Sequence, residues 1–96
     1  MQFNRDEPSP ANRFQAGNTN LIVSSYQHLL QRELLPATPD AVALAHALYH
    51  APFVVLAHDT APDPVFFYAN LTAQSLFEMS WQDMVQLPSR HSAEPL

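Results

Sequence analysis

Two apolar runs sit between prolines and turn residues, with no room for a helix in either. Phe53-Val54-Val55-Leu56-Ala57 is enclosed by Pro52 and Asp59, and Val65-Phe66-Phe67-Tyr68-Ala69 by Pro64 and Asn70. Both are rich in β-branched and aromatic residues and too short to wind into a stable helix, so both read as strands. The linker Asp59-Thr60-Ala61-Pro62-Asp63-Pro64 carries two stiffening prolines and is too long for a two-residue hairpin turn. Each strand is apolar on both faces, so both faces need covering.

Helices are expected on either side. Over 21–35, Ile22, Tyr26, Leu29 and Leu30 recur near the helical period as one apolar stripe. Asn18, Thr19 or Asn20 can accept the orphan amide hydrogens at its start, and Pro36 stops it. Thr38-Pro39-Asp40 is a second start signal, with Thr38 as cap, Pro39 in the first helical position and Asp40 facing the positive end of the dipole. Ala41, Leu44, Ala45 and Leu48 then share a face, and Pro52 ends that helix near His50. After the strands, Asn70 caps a helix with Ala73, Leu76 and Phe77 on its core side. Ser80-Trp81-Gln82-Asp83 fits a capping box, and Trp81, Met84 and Val85 share a face until Leu87-Pro88-Ser89. The expected organisation is a flexible arm over 1–18, a folded domain over 19–88 and a loose tail over 89–96.

Composition excludes several functions. The chain has no lysine and one glycine, Gly17, so neither Schiff-base chemistry nor a glycine-rich phosphate cradle is available within it. It has no cysteine, hence no disulfide or thiolate. Net charge is −5, and Arg5, Arg13, Arg32 and Arg90 are scattered, which denies nucleic acid the concentrated basic face it needs. An anionic membrane surface is disfavoured for the same reason. No apolar run approaches the length of a membrane span, and the start of the chain has no signal-like apolar region. The expectation is a cytoplasmic protein without nucleic-acid or membrane partners.

The remaining polar constellations favour structural roles. His46 and His50 have the helical spacing of a metal pair, but no acidic residue lies between them, and two histidines also suit a helix C-terminus. They are the weak metal candidates; otherwise no metal site is expected. His58 and Asp59 are adjacent and would point to opposite strand faces, so a base–carboxylate pair is less plausible than a strand exit and turn start. Ser24 and Ser25 lie mid-helix without a nucleophile elbow. Asp59 and Asp63 flank the proline turn and solvate it. With no convincing acid–base pair, an enzyme is not expected. The aromatic set Phe53, Phe66, Phe67, Tyr68, Phe77 and Trp81 reads first as core and second as the lining of a pocket. Val54, Leu56, Phe67, Leu76 and Phe77 are the candidate pocket walls.

At Phe53-Val54-Val55, Val65-Phe66-Phe67-Tyr68-Ala69-Asn70 and Leu76-Phe77-Glu78-Met79-Ser80-Trp81 the chain resembles a PAS domain. Leu48-Tyr49-His50-Ala51-Pro52-Phe53-Val54-Val55-Leu56-Ala57-His58-Asp59 and Leu87-Pro88-Ser89-Arg90 make it more similar to the PAS-like MEKHLA domain, over roughly 21–95. The resemblance implies an α+β, PAS-like fold with two N-terminal helices, an antiparallel strand pair and two short helices. It also implies a sensory or interaction module that binds a small molecule or a partner protein. The alternative is a structural dimerisation domain with no ligand and no catalytic activity.

Three departures from the PAS pattern matter. PAS domains often place glycine near the Glu78–Met79 junction, and none is here. Light-sensing relatives carry a flavin-reactive cysteine about where Ser89 lies, so no flavin–cysteine adduct is possible and the cofactor is unknown. PAS domains also continue with another helix and three strands. The expectation is therefore an incomplete sheet, marginal by itself and stabilised by a homodimer or a complementing strand.

Overall fold

The protein was studied as a computed structural model, which describes residues 4–30, 35 and 40–89. Among these, four α-helices and one two-stranded antiparallel sheet follow a short 3-10 segment, Pro10–Gln15.

The first helix, α1 (Ala16–Leu30), begins earlier than its apolar stripe suggests. It runs straight on from the 3-10 segment, so Asn18, Thr19 and Asn20 lie inside the helix and cap nothing. Thr19 is instead buried. The expected extension over 31–34 and the stop at Pro36 lie outside the described residues. The second helix, α2 (Ala41–Tyr49), is capped by Asp40, whose Oδ1 accepts from the amides of Val42 (2.9 Å) and Ala43 (3.3 Å). Thr38 and Pro39 lie outside the described residues. Asp40 thus holds the cap position expected for Thr38, and its ionised carboxylate suits the positive helix end.

Strand β1 (Leu56–His58) is shorter than the apolar run that contains it. The reason is Asn70. Its Oδ1 accepts the Val55 amide (3.0 Å), and its own amide donates to the Val55 carbonyl (3.1 Å). Phe53 and Val54 are left outside the ladder. Strand β2 (Phe66–Ala69) is buried along its whole length, as two apolar faces require. The register pairs Leu56 with Ala69, Ala57 with Tyr68 and His58 with Phe66, which leaves Phe67 as a bulge. A bulge breaks the alternation of faces. Phe67 and Tyr68 accordingly enter one hydrophobic cluster together, while Phe66 and Ala69 enter another.

The first cluster joins Leu48 and Tyr49 of α2, Val55, Phe67, Tyr68, Trp81 and Val85, with Phe14, Ile22 and Val23 packed onto it. The second joins Phe66, Ala69, Ala73 and Met84, with Leu56, Phe77, Met79 and Leu87 around it. The third helix, α3 (Leu71–Phe77), is capped by the Asn70 side chain on the Ala73 amide (3.0 Å). In the fourth, α4 (Trp81–Met84), the Ser80 hydroxyl accepts from the Asp83 amide (3.2 Å). The chain beyond α4 returns along β2: Leu87 O accepts from Phe66 N (3.2 Å), Pro64 O accepts from Ser89 N (2.7 Å), and Val65 bridges to Pro88.

Helix α3 ends on Glu78 in the left-handed region, φ 54°. Its amide donates to the Ser75 carbonyl (3.2 Å), closing the helix where glycine is the usual residue. A Cβ there costs about 1 kcal/mol. Glu78→Gly is therefore expected to stabilise the fold by about 1 kcal/mol, read as a higher urea midpoint; an unchanged or lower midpoint refutes it.

Residues 4–15, within the stretch expected to be a flexible arm, lie against the body. Trp81 Nε1 donates to Arg5 O (2.8 Å), Gln15 is buried and donates to Asp6 O (2.6 Å), and Asn18 donates to Asn4 O (3.0 Å). Asn12 ties the bend: its Oδ1 accepts from Ser9 N (2.9 Å) and Gln15 N (3.2 Å), and its Nδ2 donates to Glu7 O (2.8 Å). Composition foretold a polar, proline-bearing segment; it did not show that a buried indole takes its hydrogen-bond acceptor from this segment.

Candidate functional site

One concave surface opens between α1 and β1. Leu21, Ile22 and Tyr26 form one wall, and Val54, Leu56 and Phe67 the other, around a volume of about 630 Å³. Val55 and Ala57 form part of its surface, and Ser25, His58 and Thr60 supply its few polar groups. A groove of this size, mostly apolar with a few polar groups, is the usual form of a small-molecule site.

Of the candidate walls read from the sequence, Val54, Leu56 and Phe67 line this groove, and Leu76 and Phe77 do not. Helix α3 spans two turns and turns Ala73 fully inward, which leaves Leu76 at its rim and 63% exposed. Phe77 packs into the second cluster instead. The α1 residues were legible only as an apolar stripe. Nothing local told whether that stripe meets the sheet face or stands off from it. Of the aromatic set, Phe66, Phe67, Tyr68 and Trp81 are buried, Phe77 is half-buried and Phe53 is exposed.

Behind the groove lies a polar hub. Asn70 is fully buried and makes four side-chain hydrogen bonds. Oδ1 accepts from Val55 N and Ala73 N (both 3.0 Å), and Nδ2 donates to Leu48 O (3.2 Å) and Phe53 O (2.7 Å). One side chain therefore joins the end of α2, the entry to β1, the exit of β2 and the start of α3. Thr72 adds a hydrogen bond to Ala51 O (2.6 Å).

Tyr49, Tyr68 and Trp81 meet edge to face, with ring centroids 5.7–6.4 Å apart. Burial raises the Tyr68 phenol far above its ordinary range and the nearby Tyr49 adds to this, offset in part by the Thr19 hydroxyl. Tyr68 Oη and Thr19 Oγ1 are both buried without a well-formed hydrogen bond among the described residues. Tyr49 is raised by burial; its hydroxyl accepts from Gln74 Nε2 (3.1 Å), which works the other way, and donates to Glu7 Oε2 (3.3 Å). Both phenols stay neutral at ordinary pH, and Tyr49 is the one that donates.

Asp59 organises the proline turn. Its Oδ1 accepts from Val65 N (3.1 Å) and Ala61 N (3.2 Å), and Oδ2 pairs with Arg5 (2.8 Å). The Val65 amide is the main cause that holds its carboxyl below the usual range, with Ala61 and Arg5 adding to it against a burial cost. His58 Nδ1 meets the Asp59 backbone carbonyl (2.7 Å) and not its carboxylate, so the adjacent pair is a turn and not a base–carboxylate dyad. The His46 and His50 rings stack with centroids 4.1 Å apart, and His50 Nδ1 lies 2.8 Å from His46 O. Stacking turns the ring faces, not the in-plane lone pairs, toward each other. No group of three or more metal-ligating side chains occurs among the described residues, and none of their helices is long and apolar enough to cross a membrane.

An antiparallel pair followed by two short, side-chain-capped helices, packed with two preceding helices, defines a partial PAS-like α+β unit. The family model described as MEKHLA domain matches residues 16–96, and the chain belongs to that family. It is a PAS-like sensory family, not a catalytic one. Neither the curated proteins nor the solved structures gave a match.

Proposed function

We propose that this chain is a cytoplasmic sensory module that binds a small, largely apolar molecule in the groove between α1 and β1 and transmits its presence as a change in packing. The observation that carries this reading is the shared position of Val55. It lines the groove, and its amide rests on the Asn70 carboxamide that also caps α3. An occupant that shifts β1 shifts that amide, and the disturbance passes to α3 through one buried side chain.

Val54 is 40% exposed on the groove wall, so a charge placed there leaves the core intact. Val54→Asp is expected to weaken binding of an apolar fluorescent probe, 8-anilinonaphthalene-1-sulfonate, by about tenfold or more, because an unpaired charge must be desolvated by the occupant. The urea midpoint stays within error of the parent. Equal binding by parent and variant, or a parent that binds no probe and co-purifies with no small molecule in mass spectrometry, overturns the proposal.

A second reading, a dimerisation domain without ligand, draws support from β1. Hydrogen bonds at Val55 and Asp59 face β2, so the intervening Leu56 and His58 turn their backbone groups to the opposite edge. No described residue pairs with them there. An open edge of this kind accepts an added strand.

A further inference from the structure

Residues 5–7 are bound much as a separate peptide would be. The Arg5 guanidinium sits on Asp59 Oδ2 (2.8 Å), the Arg5 carbonyl on Trp81 Nε1 (2.8 Å) and the Glu7 carboxylate on the Tyr49 hydroxyl (3.3 Å). The receiving groups come from the β1–β2 turn, α4 and α2, and two of them are fixed independently of the arm. Asp59 Oδ1 is held by the Val65 and Ala61 amides, and Tyr49 by Gln74. The matched domain begins at residue 16, so the arm lies outside the part that defines the family.

The link between arm and body is strained. Arg13, Phe14 and Gln15 stand consecutively in the left-handed region, with φ of 57°, 54° and 57°. Each carries a Cβ that this conformation disfavours. The bend exists to fold the arm back onto its own body, and Pro8 and Pro10 stiffen the chain leading into it. A short, strained hinge joined to a specifically bound terminal segment is the arrangement that favours exchange of that segment between identical chains.

We propose that the N-terminal arm is exchanged between two copies of this chain, each donating residues 5–7 to the Asp59–Trp81–Tyr49 surface of the other. The contacts of residues 5–7 with Asp59, Trp81 and Tyr49 are remade between chains, while the left-handed turn opens and gives up its local bonds from Gln15 N to Asn12 Oδ1 and from Phe14 N to Ser9 O. The partner is a second copy because the surface reads a cation, a backbone carbonyl and a carboxylate in the order in which Arg5 to Glu7 present them. This association is separate from the groove and stands whether or not the groove binds a ligand.

The test uses the full chain. Sedimentation velocity from micromolar to millimolar concentration is expected to show a monomer–dimer equilibrium. In an equal mixture of isotope-labelled and unlabelled chains, the indole N–H of Trp81, the single tryptophan, is expected to give isotope-filtered contacts to Arg5 and Asp6 of the other chain. Arg13→Gly, which relieves one left-handed position at an exposed residue, is expected to weaken the dimer about tenfold. A monomer throughout the range overturns the proposal. So does a dimer whose Trp81 contacts are all within one chain, which would assign association to another face such as the β1 edge. A dimer strengthened or unchanged by Arg13→Gly overturns the role of the hinge.

Discussion

Asn70→Ala is expected to abolish the cooperative fold. The substitution orphans the Val55 and Ala73 amides and the Phe53 carbonyl, and leaves the Leu48 carbonyl with the Ala51 amide (3.3 Å) alone. Each buried, unsatisfied backbone group costs about 1–3 kcal/mol. Three together come to about 3 kcal/mol or more, and the lost second bond at Leu48 O adds to this, against a total of roughly 5–15 kcal/mol for a domain. Far-ultraviolet circular dichroism and the Trp81 emission maximum should both report a largely unfolded chain without denaturant. Asn70→Asp separates the two halves of the hub: the carboxylate keeps the acceptor for both amides and loses the donor to both carbonyls. It should be intermediate. A stable, cooperative Asn70→Ala variant would remove the hub from the account of both fold and signal transmission.

Trp81→Ala is expected to cost about 3–5 kcal/mol, the range for deleting a large buried aromatic. Trp81 is 1% exposed, meets Tyr49 and Tyr68 edge to face, and fills the first cluster from the α4 side. Its loss also removes the donor to Arg5 O, so the arm loses its central anchor. Trp81→Phe keeps most of the ring volume and loses only the donor, and should cost about 1 kcal/mol. Thermal melts followed at 222 nm measure both without relying on tryptophan emission. If the two variants melt alike, the indole's contribution is its hydrogen bond and not its packing.

Much of the fold was legible because local chemistry fixed it. Short apolar runs bounded by proline and turn residues are too short for a helix, and each contains a strand, Leu56–His58 and Phe66–Ala69. Asn70 and Ser80 have side chains that reach the first free amides of the helices after them, and both cap as expected. Pro52 marks the end of α2 because a proline disfavours helical geometry in the residue before it. At Glu78 the missing glycine was also visible, and the structure shows what its absence means: a left-handed cap built on a residue with a Cβ.

The lining of the groove was legible in part. Val54, Leu56 and Phe67 belong to strands or strand entries whose apolar character is local. Leu76 lies outside the groove because α3 turns Ala73 into the cluster with Phe66 and Ala69 of β2, which leaves Leu76 63% exposed. Asn70 was foreseen as a cap and not as a hub, since three of its four partners are more than ten residues away in sequence.

The amino-acid order by itself determined the kinds of element, their order, the caps at Asn70 and Ser80 and the chemistries that lysine, cysteine and glycine would have supplied. These follow from backbone sterics and near-neighbour hydrogen bonds, which act within a few residues. The tertiary structure decided which apolar stripe meets which strand, where the bulge turns Phe67 and Tyr68 to the same side, and that residues 5–7 close over Trp81. Those outcomes depend on contacts between residues far apart in the chain, where packing volume and the pairing of buried polar groups are settled only when all the elements are in place.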